Sequence, residues 1–322
     1  MRMSSGRRGL SAWDAVRAVR REMFVPDEVF IRGVHGDPVP LRRADAPELW
    51  HELVQRDEPV VIQVRPDPSL PPGLCDPATG RGMEATSSSS QPSLMAEMIE
   101  MLELEPGMRV LEVGTGTGYN AALLAHLLGA ENVVSVEIDA EVAEHARTAL
   151  DRAGYPVTVV TGNGEDGYAA GAPYDRVIVT AAAHTVPYAW VEQTRPGGTI
   201  LVPWAETVHP DGRLALFTVR DDGTAVGRFL GQAFFMPLRG QRLLPRAGLE
   251  AEERWIRSGA PDTTRYGVTV APEGQTIWLD SPDNVVAGPE KPKKSGEPNR
   301  PSRPSGPGEP GGPGEPGGPG TL

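Results

Sequence analysis

Residues 109–118 read Arg-Val-Leu-Glu-Val-Gly-Thr-Gly-Thr-Gly, an apolar run that ends in three glycines at alternate positions. A helical pattern follows at 120–128. So short and apolar a run predicts a strand buried on both faces. A glycine turn between such a strand and a helix lets the backbone approach a ligand closely and offers it the unpaired N–H groups of the helix start. The alternation continues, with strands at 133–138, 157–161, 175–180 and 199–203 and helices at 140–153 and 187–194. It predicts an α/β fold, a doubly wound, mostly parallel sheet of Rossmann-like type. The runs 214–220 and 231–238 predict an antiparallel continuation of that sheet.

The flanks are less regular. A helix is expected over 12–24, ended by Pro26, a second over 45–55, and a strand over 59–64. Ser93 is a candidate N-cap for a helix at 94–104, with Pro106-Gly107 as its stop. Beyond the core, 267–270 and 275–279 flank Ala271-Pro-Glu-Gly274 as a hairpin. The expected organisation is a disordered 1–10, an N-terminal segment at 11–92 on the acceptor side, a cofactor-binding core at 93–238, a small C-terminal module at 239–285, and a disordered tail at 286–322. That tail is Pro, Gly, Glu, Ser and Lys, too polar to bury a core.

The formal net charge of −12 argues against a nucleic-acid partner and against a polybasic membrane anchor. A single cysteine, Cys75, excludes an internal disulfide framework, and the six histidines show no metal-ligand spacing, so no metal is expected. With no apolar leader and no stretch long enough to span a bilayer, the expected location is the cytoplasm. The oligomeric state is not readable.

The spacing of Gly114, Gly116 and Gly118 is G-x-G-x-G, not the G-x-G-x-x-G of a dinucleotide pyrophosphate site. Glu112, two residues earlier, suits a cationic ligand such as the amino group or sulfonium of S-adenosylmethionine. Glu137 ends the next strand, where a carboxylate accepts from ribose hydroxyls; Asp139 better suits the cap of the following helix. After the third strand, Asn163 is the candidate acceptor for the adenine amino group, with Asp166 as the alternative and a plain Asx turn as the competing reading.

Several pieces, in order, resemble the protein-L-isoaspartate O-methyltransferases: Arg21-Glu-Met-Phe-Val-Pro26, Ser90-Gln-Pro92, Val110–Ala122, Ala172–Ala182, Gln193–Pro203 and Phe235-Met-Pro-Leu238. The resemblance implies a class I methyltransferase that takes a methyl group from S-adenosylmethionine to a carboxylate. It puts the cofactor on Glu112, Gly114, Thr115, Gly116, Gly118, Glu137, Asn163 and Gly164. It puts Ser90 at the acceptor carboxylate, with Ser89, Gln91, Thr180, Ala181, Ala182 and His184 around the substrate. The implied partner is a peptide or protein bearing an isoaspartyl carboxylate. Ester formation there leads to a succinimide that opens partly to normal aspartate.

The chain departs from the family in four places. Asn163 stands where an aspartate is usual, Ala85–Ser90 is serine-rich, about 25 extra residues separate Phe24 from Ser90, and the 239–284 region is additional. The last three resemble a branch that esterifies one normal aspartate of a ribosomally made peptide. Repair of isoaspartyl residues and peptide tailoring are therefore the two functional expectations.

Overall fold

The computed structural model describes residues 11–290 except 210, 244 and 245. The expected disorder of 1–10, and of the tail from 291 on, lies outside these residues.

The strand order places the site. The strands β1 (Glu28–Arg32) and β2 (Pro38–Arg42) form a hairpin, joined by β3 (Val60–Pro66) and β4 (Met83–Ser89) in a four-stranded antiparallel sheet of order β2-β1-β3-β4. The main sheet is ten-stranded. Its parallel part comprises β5 (Val110–Val113), β6 (Val133–Glu137), β7 (Thr158–Thr161), β8 (Tyr174–Val179) and β9 (Thr194–Trp204). β5 lies in the middle, with β6 and β7 on one side and β8 and β9 on the other. The strand order thus reverses at β5, and ligands of open α/β sheets bind beyond the carboxyl ends of the strands at such a point.

The helices are α1 (Ala12–Ala18), α2 (Pro47–Gln55), α3 (Pro92–Met101), α4 (Tyr119–Leu128), α5 (Ala140–Ala153), α6 (Tyr188–Glu192) and α7 (Ala247–Arg257). Two apolar clusters contain alternate residues of the sheet: Val110 and Ile178 pack with α1, α3 and α4, while Leu111 and Val177 pack with Trp190 of α6. α4 is apolar around nearly its whole circumference, and Leu123 and Leu124 are fully buried. Each contributes roughly 1.5–3 kcal/mol by leaving water.

An antiparallel run completes the sheet: β10 (Arg213–Val219), β11 (Ala225–Gln232), β12 (Tyr266–Ala271), β13 (Gly274–Leu279) and β14 (Val285–Glu290). The expected hairpin is β12–β13, and it continues the main sheet by pairing with β11.

Four expectations need correction. The helix expected over 12–24 stops at Ala18; Val19 is extended, and a 3₁₀ turn at Arg21–Met23 carries the buried Arg21 into the protein. Helix α3 starts at Pro92 with Gln91 before it, so Ser93 is inside the first turn, where its N–H donates to Asp57 Oδ1 at 2.9 Å. The strand expected at 231–238 is β11, at 225–232: Asp222 accepts from Thr224 and Gly223 has φ +79°, which makes 220–224 the turn. Residues 286–290, assigned to the tail, are part of β14.

Candidate active site

A cavity of about 290 Å³ opens at the carboxyl ends of β5 and β6. The glycine turn forms its floor. Gly114, Gly116 and Gly118 have φ of +99°, +54° and +84°, the left-handed region that side chains resist. Space excludes side chains as well: a Cβ on Gly114 would lie 2.7 Å from Thr180 Oγ1, and one on Gly164 2.5 Å from Val113 Cγ1.

Glu137 closes β6 at the cavity wall and is buried. Its Oε2 accepts from the Gly116 N–H and its Oε1 from the Asp139 N–H, both at 3.0 Å. Burial raises its pKa, against these two backbone donors. A carboxylate has about four acceptor positions, so two remain for ligand hydroxyls. Asp139 caps α5 by accepting from the N–H groups of Glu141 and Val142, as expected. Burial pushes its pKa up, but the hydrogen bond from Arg239 at 2.6 Å and the cap outweigh this and hold it at about 2. Arg65 of β3 approaches the same carboxylate at 3.3 Å.

Glu112 does not line the cavity. It is fully buried below the turn, where Oε1 accepts from Asn120 Nδ2 at 2.7 Å and Oε2 from the Ser135 hydroxyl at 2.5 Å. Burial raises its pKa to about 7. Glu112, expected to meet a ligand cation directly, meets Asn120 and Ser135 instead. Asn120 lines the cavity, and its Oδ1 is a buried acceptor with no protein partner. Such an atom fits a ligand ammonium group.

Thr115, Asn163 and Gly164 line the cavity; Gly118 and Asp166 do not. Gly118 instead packs on Leu150 and lets α4 start. Asn163 Oδ1 accepts from the Glu165 N–H at 3.2 Å, so the Asx turn is present as well as the cavity position.

Ser90, Gln91, Leu94, Phe234 and Phe235 also line the cavity. Gln91 is held by Asp57 at 3.1 Å and Ser93 at 2.8 Å. Ser89 faces the other way: it is 1% exposed and its hydroxyl accepts from Arg21 Nε at 3.0 Å. The expected substrate contact of Ser89 is replaced by this bond, and Ser89 does not line the cavity. Arg21 also donates to the carbonyls of Val54, Arg56, Glu58, Ser89 and Ser90. It thereby ties the extra N-terminal residues to the Ser90 turn.

Thr180 and Ala181 line the cavity, whereas Ala182 and His184 do not. Ala182 exchanges backbone bonds with Met236 and Leu238, which brings 234–239 to the cavity. Asn120 and Phe234 escaped the sequence reading of the site; Phe234 is 63% exposed.

Residues 78–243 match the sequence model of the family described as protein-L-isoaspartate(D-aspartate) O-methyltransferase. The chain belongs to this family. A protein-L-isoaspartate O-methyltransferase of Hyperthermus butylicus is 40% identical over 192 residues, 56% of this chain and 62% of that relative, so the chain spans less than two thirds of its length. Among solved structures, one named protein-L-isoaspartate O-methyltransferase superposes with a TM-score of 0.55 at 22% identity, covering 84% of this chain and 98% of the other. A Plasmodium falciparum structure described under the same enzyme name, with S-adenosyl-L-homocysteine bound, gives 0.51 at 17% identity over 71% and 89% of the two chains. These likenesses show the class I methyltransferase fold. The match to the family ends before α7 and β12–β14.

Among the described residues there is no cluster of His, Cys, Asp and Glu that could hold a metal, and no helix long and apolar enough to cross a membrane.

Proposed function

We propose that this protein transfers a methyl group from S-adenosylmethionine to the free carboxylate of an isoaspartyl residue in a protein or peptide substrate. Family membership supports the activity, and one observation ties it to this chain: a single cavity is lined by the glycine turn, Glu137 and Ser90. The donor chemistry fits the residues present. The two remaining acceptor positions of Glu137 suit the ribose hydroxyls, Asn120 Oδ1 suits the amino group, and Asn163 stands where an amide can meet adenine.

The bound cofactor supplies an electrophilic methyl on a cationic sulfur. The carboxylate oxygen forms a bond to that carbon while the carbon–sulfur bond breaks, and its electron pair stays on the now neutral sulfur. At neutral pH a carboxylate is already ionised, so the chain need not supply a base. Its residues contribute position and exclusion of water. Ser90 presents a hydroxyl to the acceptor carboxylate, Arg21 fixes the Ser90 backbone, and Phe234 and Phe235 add apolar lining to the same cavity. The resulting ester is lost as methanol when the next backbone nitrogen attacks, giving a succinimide.

The test is transfer of labelled methyl from the donor to an isoaspartyl peptide and to its normal aspartyl twin. The expected result is label on the isoaspartyl peptide alone, with kcat falling about a hundredfold in Ser90→Ala while S-adenosylhomocysteine affinity is retained. Label on neither peptide, with S-adenosylhomocysteine bound, overturns the proposal.

A further inference from the structure

The loop after β8 crosses a buried region with little regular backbone pairing, and two glutamines supply its partners. Gln241 Oε1 accepts from the N–H groups of His184 and Thr185, each at 2.9 Å, and its Nε2 donates to the Thr185 carbonyl at 2.9 Å. Gln275 of β13 accepts from the Val186 N–H at 3.0 Å and donates to the His184 carbonyl at 2.7 Å. Both glutamines are buried, 6% and 3% exposed. Between them they pair consecutive backbone groups from His184 N to Val186 N. Buried amide groups must find partners, so the loop takes the path the glutamines dictate.

That path bears on the cavity. Two residues before His184, Ala182 donates to the Met236 carbonyl at 2.8 Å and accepts from the Leu238 N–H at 2.9 Å. This pairing sets where Phe234 and Phe235 line the cavity that Ser90 also lines. Gln241 lies within the part of the chain that matches the family, and Gln275 lies outside it.

We propose that the C-terminal strands are a positioning element of the acceptor site, with Gln275 as the positioning residue that transmits their placement through His184–Val186 to the Phe234–Phe235 wall. The inference rests on the acceptor reading given above. It makes acceptor affinity, and not cofactor affinity, depend on a residue beyond the family's shared core.

The test uses the full chain with Gln275→Leu, which removes both bonds at similar volume, and Val219→Ala, at a buried position of β10 outside the C-terminal strands, as a destabilised control. The readouts are KM and kcat for an isoaspartyl peptide and the Kd of S-adenosylhomocysteine. Gln275→Leu is expected to raise KM about fivefold or more, the scale of one misplaced contact region, with Kd within about twofold of wild type. Val219→Ala is expected to leave KM within about twofold. An unchanged KM in Gln275→Leu, an equal loss of cofactor affinity, or the same KM rise in Val219→Ala overturns the inference.

Hydrogen exchange on the unmutated protein tests the same link should Gln275→Leu not fold. With S-adenosylhomocysteine present, added isoaspartyl peptide is expected to slow exchange in 184–186 and in β13 together. Protection confined to the cavity wall, with β13 unaffected, contradicts it. A wild-type protein that methylates no peptide sinks both this inference and the proposed function; a methylating wild type with an indifferent Gln275→Leu sinks this inference alone.

Discussion

Asn120 Nδ2 donates to Glu112 Oε1 across 2.7 Å, so an amide links the buried acidic group of β5 to the cavity. Burial raises the Glu112 pKa from 4.5 to about 7. The folded protein therefore holds a proton that the unfolded chain releases between those two values. Stability from this group is fully present below pH 4.5 and is lost as pH rises through 7, by up to about 3 kcal/mol. Glu112→Gln should flatten that slope in thermal melts recorded against pH, and should be relatively more stable than wild type above pH 7. Above pH 7, calorimetry should show its S-adenosylmethionine binding weakened, because the ionised partner that polarises Asn120 is gone. A slope unchanged by the substitution would contradict the assignment.

Glu137 accepts two backbone N–H bonds while facing the cavity. Glu137→Ala leaves the Gly116 and Asp139 amides without these acceptors and removes the ribose partner. Hydrogen bonds to charged groups contribute roughly 1.5–3 kcal/mol each, so S-adenosylhomocysteine affinity should fall about a hundredfold or more in titration calorimetry. A change below about threefold would remove Glu137 from the cofactor site.

Arg21 is buried and its hydrogen bonds go to neutral oxygens: the Ser89 hydroxyl and five carbonyls. Burial lowers its pKa to about 10, which leaves it charged at neutral pH. Arg21→Met strands the buried carbonyls of Val54 and Ser89 and should cost about 3 kcal/mol or more by chemical denaturation. Arg21→Lys should recover only part of that loss, because an ammonium lacks the planar fork.

The Arg239–Asp139 pair tests the edge of the cavity. Asp139 has its folded pKa depressed from 3.8 to about 2, so its contribution is present above pH 3.8 and lost as pH falls towards 2. Arg239→Ala should therefore weaken the stability loss in that acid window. Arg239 is 43% exposed, so the neutral-pH cost should be only about 1 kcal/mol or less. An acid limb identical to wild type would show that Arg239 does not hold Asp139.

How much of this was legible follows from where burial leaves a pattern. β5, β6 and β8 are covered on both faces and read as apolar runs, and the glycines between β5 and α4 are forced by positive φ. β4 is Met-Glu-Ala-Thr-Ser-Ser-Ser, partly buried along most of its length, so its sequence carries no apolar alternation. β11 was shifted because Gly227 interrupts it; the glycine is there to let Phe217 lie flat, since a Cβ would come within 2.5 Å of that ring. Glu112 was visible as a charge beside the turn, but its direction was not, because the partner Ser135 lies on another strand. Gln241 and Gln275 look like surface residues until the fold brings chain 56 to 91 positions away against them.

The account turns on carboxyl methylation of an isoaspartyl residue, and the fate of the transferred methyl group tests it most directly. With labelled donor and an isoaspartyl peptide, the label is predicted to appear as a base-labile ester. It should then leave as methanol while the peptide passes through a succinimide and returns in part as the normal aspartyl form. Label that stays on the peptide through base treatment, or that goes equally to the normal aspartyl twin, would contradict it.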